Sequence, residues 1–187
     1  MESLRRHMEA ILSITDEEFE YIASHFEKKK LRKHAYLVRE GDLVNNEYFV
    51  VKGCLKAYVY DEEKVKEYIF QFAVEDWWIT DREAIIKGTK ATINIDCLED
   101  CELLSITKAN RDKLCAEMPK FKDYLFIKVS NGYVSLQKRV LTLIRNNARE
   151  RYDLFIKQYP HLPQRISKTL IASYLGVSRE TLSRLSK

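Results

Sequence analysis

Residues 165–187, R-I-S-K-T-L-I-A-S-Y-L-G-V-S-R-E-T-L-S-R-L-S-K, admit few local folds. Ser167 is placed to cap a helix, because its hydroxyl can accept from the free backbone N–H groups at a helix start. Leu170, Ile171, Tyr174 and Leu175 then recur at helical spacing. Gly176 tolerates the left-handed conformation that ends a helix. Val177 gives the turn one apolar residue. Ser178 is placed to cap a second helix, with Leu182 and Leu185 inward and Arg179, Glu180, Ser183 and Arg184 outward. This is the layout in which one helix crosses the DNA backbone and the next enters the major groove. The bland alternative is a helical hairpin with solvated charges, since short matches of this kind are common.

The outward side chains suit nucleic acid. Arginine can donate two hydrogen bonds to guanine O6 and N7, and glutamate can accept from cytosine N4. Ser167, Lys168, Thr169 and Ser178 are placed to hold phosphates. Charge is distributed accordingly. From Gly132 onward there are eleven Lys/Arg and three Asp/Glu, a net of +8, whereas residues 1–131 hold 21 basic and 25 acidic residues, a net of −4. The C-terminal end is therefore the expected nucleic-acid face.

S-R-E-T-L-S-R resembles the recognition helix of the CRP/FNR family of bacterial transcription regulators, where S-R-E-T-V-x-R is typical. The resemblance implies Arg179, Glu180 and Arg184 as base readers. It also raises the question of whether the rest of the chain fits.

Thr15-Asp-Glu-Glu18 is a capping box. It predicts a helix with Phe19, Ile22, Ala23 and Phe26 on one face, ended by Lys28-Lys29-Lys30. From about Leu31 to Ile106 the period falls to two. Short strands separated by turns at Gly41, Gly53 and Asp61-Glu62-Glu63 predict an all-β sandwich or roll. Gly41, the Val51-Lys52-Gly53 turn and the segment C-L-E-D-C-E-L-L-S-I resemble the glycine turns and closing strands of the cyclic-nucleotide-binding β-roll.

The family's phosphate cassette has a G-E-L turn for amides and ribose, then R-[ST]-A with its arginine on the cyclic phosphate. Here the region reads F-A-V-E-D-W-W-I-T-D-R-E-A-I-I-K-G-T-K-A-T-I-N-I, with Lys90-Ala91-Thr92 at the arginine's place. A phosphate without that arginine loses a bidentate, charge-assisted contact. The cofactor is thus unnamed, and a cyclic nucleotide is disfavoured. Trp77 and Trp78, with Asp81, Arg82 and Thr92, make a candidate effector pocket of aromatic walls and a few polar groups. The alternative is that both tryptophans are core or dimer-contact residues. His34 is a surface residue rather than an axial ligand on this reading.

Pro119 opens a long helix to about Arg145. Phe126, Val129, Tyr133, Leu136, Val140 and Leu143 alternate spacings of three and four, a heptad seam suited to a dimer interface. Phe121, Leu125, Val134, Leu141 and Ile144 form a second stripe, expected to pack on the sheet; the alternative is one buried helix. The family's dimerisation helix has the same place. Asn146-Asn147 breaks the helix, and Asn147 with Glu150 is a capping box for another from Ala148 to about Gln158. A-R-E-R-Y and Y-P-H-L-P resemble a subgroup common in Bacteroidetes that lacks the cassette. Any β wing before the helix-turn-helix must be small, and none is expected after it.

A chain of 187 residues with 45% hydrophobic and 32% charged residues suits two small soluble domains. M-E-S-L-R-R-H-M-E-A-I-L lacks a signal peptide's apolar run, and no stretch is long enough to span a bilayer, so a cytoplasmic location without membrane contact is expected. Cys54, Cys97, Cys101 and Cys115 are expected to be reduced and structural, because no pair completes a zinc set. The family's oxygen-sensing branch, with cysteines near the N-terminus, is disfavoured.

The expected fold is α+β: a jelly-roll-like β-roll with flanking helices over residues 1–118, a dimerisation helix over 119–147, and a C-terminal (winged) helix-turn-helix over 148–187. The expected function is DNA-binding transcription regulation by an effector-responsive homodimer on a palindromic operator, with RNA polymerase and an unknown small molecule as further partners. No nucleophile motif, metal set or phosphate loop marks an enzyme. The rival is a small-molecule or cyclic-nucleotide binding module whose helix-turn-helix contacts protein, and the uneven charge argues against it.

Overall fold

The computed structural model describes residues 1–185. Helices α1 (Glu2–Glu9) and α2 (Asp16–Ala23) come first. Thr15 Oγ1 accepts from Glu18 N, and the Glu18 carboxylate accepts from Thr15 N at 2.9 Å, so the capping box is complete. The lysine run does not end that helix. It forms the strand β1 (Glu27–Leu31), at the edge of a sheet, with four residues exposed. Lysines on an edge strand discourage pairing with another chain.

Seven further strands follow: β2 (Tyr36–Val38), β3 (Asn46–Lys52), β4 (Leu55–Asp61), β5 (Lys66–Ala73), β6 (Trp78–Ile79), β7 (Asn94–Cys97) and β8 (Cys101–Thr107). They form two antiparallel four-stranded sheets, ordered β1-β8-β3-β6 and β2-β7-β4-β5. Val50, Ile79 and Leu103 from one sheet and Val38, Leu55, Ala57 and Ile95 from the other share a core. Helix α3 (Arg82–Lys87), which the sequence reading did not anticipate, lies between β6 and β7.

Each sheet is covered by helices. On the first, Phe49, Leu104 and Ile106 pack with Leu4, Met8, Phe19 and Ile22. Leu114 of α4 (Lys108–Glu117) and Phe121 and Tyr124 of α5 (Pro119–Arg145) complete this layer. On the second, Tyr58, Ile69 and Phe72 pack with Phe155, Tyr159, Tyr174 and Leu182. These belong to α6 (Ala148–Gln158) and its end, α7 (Lys168–Leu175) and α8 (Arg179–Leu185), with a 3-10 turn at Leu162–Gln164. No strand follows Thr107 among the described residues, so the C-terminal unit has no wing there.

Only the start of α5 is buried. Its 27 residues span about 40 Å, whereas a seven-residue strand spans about 23 Å, so the helix outruns the sheet. The expected seam lies bare, with Phe126 73% and Tyr133 67% exposed. The second stripe packs on the sheet layer only at Phe121 and Leu125; Val134, Leu141 and Ile144 are exposed, for the same geometric reason. A single buried helix is excluded.

Candidate nucleic-acid interface

The two C-terminal helices are built by their caps. Ser167 Oγ accepts from Leu170 N at 3.4 Å, and Ser178 Oγ accepts from Thr181 N at 3.1 Å. Between them Gly176 has φ +66°, and the turn amides of Gly176 and Val177 reach the Ala172 and Ser173 carbonyls. Ile171, Leu175 and Leu182 are buried beneath. Ser167, Lys168, Thr169, Ser178, Arg179, Glu180 and Arg184 are all exposed, and Ser183 is half-buried. The Glu180 carboxyl lies below its ordinary pKa, through its own backbone amide first, then the Ser178 hydroxyl, with the charges of Arg179 and Arg184 adding. Glu180 is thus an ionised acceptor between two cations.

Helix α7 is docked on β5. Ser173 Oγ donates to the Glu67 carbonyl at 2.5 Å and accepts from Ile69 N at 3.3 Å. Arg165 grips the sandwich with four hydrogen bonds of 2.7–3.0 Å, two to Glu75 and two to Glu99. Burial works to raise the Glu75 carboxyl, but the Arg165 guanidinium and the backbone amides of Glu75 and Gly53 overcome it and hold it low. Arg139 of α5 donates to Tyr174 O at 2.5 Å. These anchors were not foreseen.

The candidate effector residues are dispersed. Adjacent strand residues face opposite ways. Trp77 meets Tyr159 with ring centroids 5.5 Å apart, whereas Trp78 donates to Tyr124 Oη at 3.0 Å and carries the Lys128 ammonium 3.7 Å from its ring centroid. Asp81, 3% exposed, caps α3 by accepting from Ala84 N at 3.0 Å and also accepts from Thr92 N at 2.9 Å. Arg82 turns to Glu47 at 3.0 Å. The five therefore do not share one cavity wall: each tryptophan serves a different packing layer.

Glu47, 2% exposed, also accepts from Arg111 at 2.6 Å and Lys128 at 3.0 Å. One carboxylate thus joins β3, α3, α4 and α5. Burial opposes its ionisation, but Lys128, Arg82 and Arg111 outweigh that and hold it at about 2. Lys128 is pushed down to about 8, by burial first. Cys54, Cys97 and Cys101 are buried free thiols, and Cys115 is half-buried.

Residues 28–118 match the family model described as "Cyclic nucleotide-binding domain". The chain is 26% identical over 185 residues to the Anaerobic regulatory protein of Haemophilus influenzae, covering 92% of this chain and 71% of that one. Its fold resembles that of FixK2 from Bradyrhizobium japonicum, at 18% identity and TM-score 0.75, covering 86% and 82% of the two chains. It also resembles a CRP/FNR-family transcriptional regulator from Eubacterium rectale, at 12% identity and TM-score 0.69, covering 92% and 82%. A β-roll matched as a cyclic nucleotide-binding domain, a long helix bare along one seam and a capped C-terminal helix pair give the chain the fold of the CRP/FNR-family regulator from Eubacterium rectale.

Proposed function

We propose that the protein is a homodimeric regulator whose two α8 helices read a palindromic operator. The observation that carries this reading is the α8 surface: Arg179, Glu180 and Arg184 stand in solvent on a helix anchored from behind by Leu182. Ser167, Lys168, Thr169 and Ser178 flank them at the two helix starts, where phosphates are favoured. The division of labour is a β-roll over 1–118, a pairing helix over 119–147 and a reading unit over 148–187. RNA polymerase and an effector of the β-roll are the further partners this function entails.

The β-roll does not take a cyclic nucleotide by the usual cassette. In the Lys90-Ala91-Thr92 stretch that stands in the place of the family's R-[ST]-A, Thr92 N and Oγ1 donate to the buried Asp81 carboxylate, which also accepts from Ala84 N. An anion here would face a carboxylate that is already hydrogen-bonded.

The test is selection of binding sites from random duplex DNA by the purified protein, followed by Arg179→Ala. An enriched palindrome is expected, and the variant should lose roughly 1–3 kcal/mol of discrimination at one base position. Equal losses on specific and random DNA would remove Arg179 from the base readers.

A further inference from the structure

We infer that Arg139 is a positioning residue that fixes the helix-turn-helix against the dimerisation helix and so sets the spacing between operator half-sites. The inference rests on the DNA-reading function proposed above. From Asn131 to Leu141 every residue of α5 is exposed except Arg139. Arg139 is thus the least exposed residue in the middle of the helix.

Its guanidinium makes three contacts, on two elements, at one point. Nη2 donates to the Tyr174 carbonyl of α7 at 2.5 Å and to the Ile69 carbonyl of β5 at 3.4 Å, and the guanidinium carbon lies 3.5 Å from the centroid of the Tyr174 ring. The Tyr174 carbonyl is one of the last-turn acceptors that a helix leaves unpaired. The turn after α7 satisfies others: its amides go to the Ala172 and Ser173 carbonyls. Arg139 supplies a donor to the Tyr174 carbonyl, and a cation at a helix C-terminus is favoured by the macrodipole.

The aromatic cluster, Ser173 and Arg165 tie α7 and its start to the β-roll; Arg139 ties α7 directly to the dimerisation helix. A planar guanidinium fork with a ring stacked on it is directional. The covalent link cannot replace it: between α5 and α6 lie only Asn146 and Asn147, and the first has extended backbone. Arg139 also immediately precedes Val140 of the exposed seam. In a two-fold dimer its position is set by the pairing of the two α5 helices. It hands that position to α7 and, through the Gly176 turn, to α8.

The experiment compares full-length wild type, Arg139→Ala and Arg139→Lys on palindromes whose spacers are lengthened or shortened by one and two base pairs. An isolated half-site and a thermal melt accompany each measurement. Wild type should prefer one spacing by about tenfold or more, since a wrong spacing loses a half-site. Arg139→Ala should keep its half-site affinity while that preference falls to about threefold or less. Lysine keeps the charge without the fork and should fall between them. Should the alanine variant fail to melt cooperatively, the lysine variant carries the comparison alone. A palindrome bound by wild type with the same spacing preference in the variants overturns the inference and leaves the DNA-reading function standing. No palindrome bound by wild type overturns both.

Discussion

At Gly53 the chain passes from β3 into β4 with φ +108°. A methyl group there would lie 2.6 Å from Cys101 Sγ and 2.8 Å from the Asp100 carbonyl. The first opens β8, and the second is backbone of the tight connection from β7, so neither yields cheaply. Gly53→Ala is expected to destabilise the β-roll by about 2 kcal/mol or more, from left-handed strain plus overpacking. Urea unfolding measures it, and an unchanged midpoint would mean that the connection gives way. This glycine was legible in the sequence as a turn, because few residues adopt such a backbone. Arg139, Arg165 and Glu47 were not legible, because each charge has its partners far along the chain. Arg165 bonds across to Glu75 and Glu99, and Glu47 to Arg82, Arg111 and Lys128. The one hint at Glu47 is parity: it shares a strand face with Phe49 and Val51, where an apolar residue belongs.

Among the elements, α5 is pinned to the β-roll by that buried carboxylate. Its pKa of about 2 lies below the ordinary 4.5. As pH falls the unfolded chain takes up the proton first, so stability complete above 4.5 is lost as pH falls toward 2, amounting to about 3 kcal/mol. Glu47→Gln takes the shared anion from Arg82 and Lys128 and leaves Arg111 with Asp112 alone, and it should cost about 3 kcal/mol at neutral pH. The gap between variant and wild type should close as pH falls through that window, which urea unfolding at a series of pH values reads directly. A gap constant with pH would assign the loss to packing instead. The elements legible in the sequence carry local signals: the capping boxes of α2 and α6, Pro119 on α5, and the serines and Gly176 around α7 and α8. Helices α1 and α4 were missed because they bury so little. Leu4 and Met8 are the buried residues of the first, and Leu114 that of the second, too few to print a period. Strand β1 was missed because an edge strand of lysines shows no alternation.

For the whole molecule, the sequence reading captured the β-roll, the long helix and the helix pair, but not the docking of the C-terminal helices on the second sheet. Tyr174 reads from the sequence as one of the apolar residues of its helix, and only the fold brings it, with Phe155 and Tyr159, onto Phe72. The bare side of α5 is a different matter, since Phe126, Val129, Tyr133, Leu136, Val140 and Leu143 all stay exposed in the described protomer. Six apolar residues in a heptad seam are not left in water by a stable monomer of this size. In a parallel two-fold pair each seam residue meets its own copy. Leu136, 56% exposed, sits mid-seam, so Leu136→Glu brings two carboxylates together in an apolar interface. Desolvation and repulsion should weaken dimerisation by about 100-fold or more, measured by sedimentation equilibrium. The melt of the isolated protomer should not move, because the substitution touches no buried contact within it. Binding to a single half-site should persist while the gain from a palindrome disappears, because that gain needs both α8 helices on one rigid frame. A variant that remains dimeric would place the pairing surface elsewhere, and the remaining exposed stripe of Val134, Leu141 and Ile144 on the same helix is where it would then lie.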